Sequence, residues 1–481
     1  MKIRLLYTLV FLCLIIIGCK KNNIKKELNT NLDKNLTLII KKVMKEHAIP
    51  GLSLGVVKDN KLVFVQGFGY ENLHSKKPVT KNTIFHLASI SKTFVSTAIM
   101  QLVEQGKIDL DEKVTMYLPY FKMADMTYKE VTIRQMLSHN SGMPNSNDYE
   151  WTKPQYDEKA IERFVKSLSK EKMELKPGEK FRYSNIAYEV LGDVIAKVSG
   201  KSFAEYQKEN ILNPSGMKKS SFLKPNYLPK NWASPHAMTL AQRPLNMYPY
   251  NRRHAPSSTM HSNAVEMANY AIMHLNKGTF NGEKILTKET YKSTWKTNVK
   301  IDDGQLKKYN MGLGWFLGNF NNYTTVLHGG SDDGFQAHFV LVPEKSIGVV
   351  VMVNTLPAPV EEITNQVIGL LLNEKTAPIK PLASILMWKV LKEKGEKEAI
   401  TFWNDLKSNQ SEKYNFDLQQ FFNLYFTIQH GTKDEAKKIA TVCKSILNKK
   451  DIDFLKGITQ YSMKQTSDDS IAKEVLKILN D

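Results

Sequence analysis

Cysteine is scarce: the 481 residues contain 3. That excludes a disulfide framework as the source of stability and leaves the hydrophobic core to hold the fold. Metal-ligand spacing is also missing. No cluster of His, Cys, Asp and Glu has the pattern of a zinc or iron site, so no metal or other cofactor is expected. Arginine-rich runs interleaved with aromatics are absent too. The formal net charge is +19, but the lysines that carry it are scattered along the whole chain. A scattered charge is a solvated surface, and nucleic acid is not expected as a partner. Hydrophobic residues make up 42% and charged residues 24%, which is ordinary for a globular protein of two or three domains.

The N-terminus points to export. Lys2 and Arg4 precede an apolar run from Leu5 to Ile17. The run is too short to span a bilayer comfortably and has the form of a signal-peptide core. It ends in Ile16-Ile17-Gly18-Cys19, followed by Lys20 and Lys21. This resembles a bacterial lipoprotein box, in which the cysteine is acylated after the preceding residues are removed. Residues 1–18 are then a signal peptide, Cys19 the lipidation site, and residues 19–32 a Lys- and Asn-rich tether. The expected location is the bacterial cell envelope, held to the membrane by lipid and facing the periplasm or exterior. Cys13 leaves with the signal peptide. Cys443, in an apolar helical stretch, is expected to be a packing residue.

Strand and helix patterns divide the rest. Leu36, Ile39, Ile40 and Val43 have helical spacing. Leu52–Val57 and Leu62–Gly67 read as strands joined by a turn at Asp59-Asn60. Ala88–Gln105 reads as a buried helix that stops at Gly106. Mixed helix and loop continue to about Lys277. Strand signals return at Tyr323–Leu327, His338–Val342 and Ile347–Val353. Strands, a helical insertion, then more strands predict an α+β fold: an antiparallel sheet flanked by helices, with an inserted helical subdomain. Residues 33–375 form this unit. After Pro378 and Pro381 the pattern becomes purely helical, over residues 382–481. Gly395–Ala399 and Gly431–Ala436 look alike, and Ala472 follows at a similar interval. This weak repeat resembles stacked helical hairpins of the tetratricopeptide kind, and a generic helical bundle fits nearly as well. Deletion after Lys380 is expected to leave an active domain.

Three short motifs carry the candidate chemistry. Ser89-Ile90-Ser91-Lys92 fits Ser-x-x-Lys; with Ser89 opening a helix, Lys92 lies one turn on and on the same face. A serine is a poor nucleophile until a neighbour takes its proton. Ser167, Ser169, Ser215, Ser221 and Ser293 also have a lysine three residues later. Ser89 is singled out by its place at the start of an apolar helix. Tyr183-Ser184-Asn185 offers a phenol that a nearby lysine can acidify. Its Asn185 amide can bond both lysine and substrate. Tyr70-Glu71-Asn72 has the same form. His328-Gly329-Gly330-Ser331 ends a strand-like run. Gly330 lets a substrate lie against the strand, and the N–H of Ser331 can pair with that of Ser89 as an oxyanion hole. A glycine turn with an incidental histidine is the bland alternative.

The order of the three motifs, with several flanking segments, is similar to the serine β-lactamase and penicillin-binding-protein superfamily, in its class C-related branch. Those segments are Leu137–Pro144, Pro177–Asn185, Asn213–Met217 and Tyr309–Trp315. The resemblance covers about Asp33 to Leu372. It implies an acyl-enzyme mechanism with Ser89 as nucleophile and Lys92 and Tyr183 handling protons, the base being disputed within such enzymes. Asn185, His328, Gly330 and Ser331 would bind substrate. One departure stands out: His328-Gly329-Gly330 replaces the Lys-Thr-Gly usual in β-lactamases of this branch. His-x-Gly resembles the D-aminopeptidases and β-lactamase-like esterases. The expected substrate is a peptide, D-amino-acid amide or ester, cell-wall-derived compounds included. The alternatives are a class C-type β-lactamase and a slowly acylated sensor or binding protein whose C-terminal helices meet a protein partner.

Overall fold

The computed structural model describes residues 31–481 apart from 147–148, 227–228, 303 and 466–467. Cys19, the signal segment and most of the tether lie outside the described residues. The first strands, β1 (Gly51–Lys58) and β2 (Lys61–Asn72), form a hairpin. At its tip Asp59 and Asn60 both take left-handed backbone, φ 51° and 57°. Asp and Asn tolerate this conformation, and a two-residue turn of this hand matches the twist of the paired strands.

Seven more strands complete one antiparallel sheet. They are β3 (Lys77–Pro78), β4 (Val299–Lys300), β5 (Asn310–Met311), β6 (Phe316–Phe320), β7 (Tyr323–Asp332), β8 (Phe335–Val342) and β9 (Ile347–Val353). Their order is β4-β5-β6-β7-β8-β9-β1-β2-β3. The first strand thus pairs with the last, through Leu52↔Val353 to Lys58↔Ile347. All residues between the two sets must loop out and return, which makes the insertion seen in the sequence pattern.

The sheet is buried on both faces, and alternation along a strand divides its side chains between two cores. Val349, Val351 and Val353 join one core, with Leu36, Ile40 and Val43 of helix α1 (residues 31–46) and Ile363 and Val367 of a late helix. Val350 and Met352 join the other. That second core belongs to the insertion. Its centre is helix α2 (Ser91–Glu104), every residue of which is buried from Ser91 to Leu102. Helix α3 (Asn185–Ser199) packs against it.

From Ala383 the chain is helical and has a core of its own, which includes Trp388, Trp403 and Cys443. Its helices pack in consecutive pairs. They are α4 (Ala383–Lys394) with α5 (Glu396–Asn409), α6 (Asn423–His430) with α7 (Lys433–Ile446), and α8 (Lys449–Gln465) with α9 (Ser470–Asn480). Ala399, Ala436 and Ala472 lie near the start of the second helix in each pair, and each is fully buried. A small residue there lets helices approach closely, which accounts for the weak repeat. The helices dock on the insertion. Arg243 makes an ion pair with Glu435 at 2.6 Å, and Phe426 packs with Ala237 and Leu245.

Candidate active site

Ser89 does not open a helix. It sits in the turn before α2, which begins at Ser91. Ala88 takes φ 46°, and the Lys92 N–H bonds back to the Ser89 carbonyl at 3.0 Å. Left-handed backbone at a residue with a side chain is strained, and such strain persists where surroundings hold it. Here strand β7 does so. A Cβ on Gly330 would lie 2.1 Å from the Leu87 carbonyl oxygen and 3.1 Å from the Ser89 nitrogen. Only glycine lets the strand come that close. The glycine-turn reading of His328-Gly329-Gly330-Ser331 is therefore wrong. The strand continues to Asp332, paired with β8 throughout. Its partner on the other side, β6, leaves at Leu327. The edge from His328 to Asp332 is consequently unpaired by β6 and borders the cleft at Ser89.

Lys92 is fully buried. Its Nζ lies 3.0 Å from Ser89 Oγ and 2.8 Å from the Ser257 carbonyl oxygen. Burial lowers its pKa from the ordinary lysine value to about 7, although the Glu189 and Asp332 carboxylates pull it upward. Desolvation disfavours the ammonium more than two carboxylates restore it. Of the Ser-x-x-Lys serines, Ser470 included, Ser89 is the one that is hydrogen-bonded to its own lysine among the described residues.

Tyr183 lies just before α3, where Ser184 caps the helix by accepting from the Ala187 N–H at 3.1 Å. Its ring stacks on His139, with centroids 4.1 Å apart, and Lys92 Nζ is 5.1 Å from its centre. The Ser89 side chain is near enough to favour the ionised phenol. Its acidity departs from expectation. Burial raises the pKa, and the Ser89 side chain opposes this only in part. The lysine that was to acidify Tyr183 has a pKa of about 7, so it is already neutral at the pH where the phenol ionises and supplies no cation there.

Asn185 also differs. Its Nδ2 donates to the Ser146 carbonyl at 3.3 Å, and its Oδ1 has no partner among the described residues. No Asn185–Lys92 hydrogen bond is present among the described residues. His328 is buried, with Nδ1 2.6 Å from the Gly329 carbonyl oxygen. That oxygen can only accept, so Nδ1 carries the proton, and Nε2 is a buried acceptor without a partner among the described residues. Burial, with the Lys92 charge adding to it, lowers the His328 pKa to about 3. The ring is neutral. Gly330 and Ser331 line the cleft with it. Tyr70-Glu71-Asn72 lies far along β2, where Glu71 pairs with Lys77 and Asn72 with Ser234.

Several residues of the site gave no signal in the sequence. Ser257 holds Lys92 through its carbonyl, and its hydroxyl donates to Glu189 at 2.5 Å. His254 Nδ1 is 3.0 Å from the same carboxylate. Asp332 accepts from Ser258 and lies 2.7 Å from His86 Nε2. Each partner comes from a distant part of the chain, with no fixed spacing to search for.

The sheet order, the inserted helices and the Ser89 turn together describe a known architecture. The Beta-lactamase family model matches residues 36–373, and the chain belongs to that family. It is 26% identical over 347 residues to Protein flp of Staphylococcus aureus strain MW2, covering 71% of this chain and 68% of that one. It is 33% identical over 193 residues to Penicillin-binding protein 4* of Bacillus subtilis strain 168, covering 39% and 41%. Among solved structures it resembles the octameric penicillin-binding protein homologue from Pyrococcus abyssi, with TM-score 0.62 and 29% identity, covering 75% of this chain and 81% of that one. The fold is also that of a penicillin-binding protein from Bacillus halodurans, with TM-score 0.58 and 22% identity, covering 69% and 98%.

Proposed function

We propose that the chain is an exported serine hydrolase that forms an acyl-enzyme at Ser89 with a peptide, D-amino-acid amide or ester. One observation carries this reading: a buried lysine with a near-neutral pKa, 3.0 Å from a serine hydroxyl. A neutral amine at that distance is a general base poised at its working pH. Lys92 takes the Ser89 proton as Oγ attacks the carbonyl. The N–H groups of Ser89 and Ser331 hold the oxyanion. The proton then passes from Lys92 through the Tyr183 hydroxyl to the departing amine or alcohol. Water attacks the acyl-enzyme by the same path and releases the acid. Tyr183 serves here as a relay, since its raised pKa disfavours a resting phenolate.

Neutral His328 bears on substrate choice. Its ring is buried and offers no fixed cation to a carboxylate. This favours amides and esters over carboxylate-bearing β-lactams. Residues 33–375 would form the catalytic unit, with the helices of 382–481 appended as a tetratricopeptide-like array. Cys19 would carry the lipid that holds both in the cell envelope.

The test is reaction with a fluorophosphonate followed by intact mass. One adduct is expected on the wild type and none on Ser89→Ala. A wild type that stays unmodified would make the chain a binding protein. A panel of β-lactams, D-aminoacyl amides and short-chain esters then identifies the substrate class.

A further inference from the structure

Helix α8 is buried along one side and carries a second, partly exposed apolar stripe, whereas a surface helix needs one apolar face. Leu455 and the small polar Thr459 and Ser462 are fully buried on the side that faces the C-terminal core, and Ile452 is nearly so. Phe454, Gly457, Ile458 and Tyr461 recur at helical spacing on another side, with Ile458 also touching the C-terminal core. This second stripe lines a cleft of about 790 Å³ that also holds Ser89, Tyr183 and Ser331. Phe454 and Tyr461 are 41% and 36% exposed, so two aromatic rings face the space in front of the serine.

The stripe is continued from other elements. Phe422 meets Phe454 edge-on at 6.2 Å, and Tyr425 stacks with Tyr461 at 6.2 Å. Across the cleft, Tyr149 and Trp151 stack in parallel at 4.5 Å. Gly457 supplies a second, independent clue. Glycine inside a helix is destabilising relative to alanine, and close packing is the usual reason for one. Here a Cβ would meet nothing within 4 Å. The missing side chain leaves room in the cleft. Charge is a weaker feature of this space. Asp332 is engaged by His86 and Ser258, and burial beside Asp332 pushes the Asp333 carboxyl up to about 7.

We propose that α8 forms a substrate subsite beside Ser89 that takes a bulky aromatic group attached next to the scissile carbonyl. The C-terminal helices are then part of the substrate-binding machinery. This rests on the serine-hydrolase reading for its chemistry, and the tests separate the two. The kinetic test compares methyl acetate, methyl phenylacetate and benzyl acetate. One of the aromatic esters is expected to exceed methyl acetate in kcat/KM by roughly tenfold or more. In Gly457→Leu, and in Phe454→Ala/Tyr461→Ala, that ratio should fall to near one. Thermal melting checks that the variants fold; leucine in place of a helical glycine should not lower the midpoint. The second test needs no catalysis. The neutral aromatic probe N-phenyl-1-naphthylamine should bind the wild type with a fluorescence rise and bind Gly457→Leu at least roughly tenfold more weakly. An unmodified Ser89 with intact, Gly457-sensitive probe binding would sink the hydrolase reading and keep the subsite. A wild type without aromatic preference, or probe binding indifferent to Gly457→Leu, would overturn the subsite.

Discussion

At the residue scale the site is a proton problem. Ser89→Ala should abolish fluorophosphonate labelling, while alanine at Ser167, Ser169, Ser215, Ser221 or Ser293 should leave it intact. Lys92→Ala and Tyr183→Phe should each slow acylation by about two to four orders of magnitude, in single-turnover assays, because each removes a proton carrier and keeps the nucleophile. Their losses need not add. The pH dependence follows from the sign of the Lys92 shift. Its folded pKa is lowered to about 7, so the amine is protonated below that pH and free above it. Acylation should therefore rise with pH up to about 7 and then level. The group is flanked by the Glu189 and Asp332 carboxylates, the Tyr183 phenol and the neutral His139 and His328 rings. Glu189→Gln removes one carboxylate that raises the pKa, so the profile should move to lower pH. An unmoved profile would mean that another group is the base. His328→Lys should raise kcat/KM for a cephalosporin relative to a neutral ester. A charge-assisted contact contributes about 1.5–3 kcal/mol, one to two orders of magnitude in selectivity. An unchanged ratio would mean that residue 328 does not meet the substrate carboxylate.

At the element scale the site depends on one close approach, that of β7 to the Ser89 turn. Gly330→Ala places a methyl group 2.1 Å from the Leu87 carbonyl oxygen, a clash with backbone that side-chain rotation cannot relieve. The strand must retreat from the turn, so kcat should drop by roughly a hundredfold, as for loss of an oxyanion donor. Labelling kinetics and a melting curve separate this from unfolding. Much at this scale was legible in the sequence. The Asp59-Asn60 hairpin, the apolar helix after Ser89 and the Ile347–Val353 strand follow from local pattern. Two boundaries were not legible. The helix starts at Ser91 and the strand runs on to Asp332, because tertiary contact holds both segments in place. Glycines that look like a turn are, in the fold, the place where two backbones touch.

At the scale of the whole molecule the C-terminal helices matter most. Their separate core supports the expectation that a chain ending at Lys380 still folds and turns over methyl acetate. Its discrimination among bulky esters should disappear, because Phe454 and Tyr461 leave the cleft. An inactive or insoluble product would make the helices part of the catalytic fold. Cys19→Ala should shift the protein from the detergent phase to the aqueous phase and abolish palmitate labelling. An unlabelled wild type would remove the lipid anchor from the proposal.

Sequence alone determined the α+β class and the order of the three motifs, and it singled out Ser89 as the candidate nucleophile by its setting. Those depend on local periodicity and on residues adjacent in the chain. Tertiary structure decided the protonation of the site. Whether a lysine is charged depends on how much water it has lost and which carboxylates face it. Ser257 and Glu189 reach Lys92 from 165 and 97 positions away. Tertiary structure also decided what the cleft can hold, since helix α8 and the Ser89 turn meet only after the chain has folded.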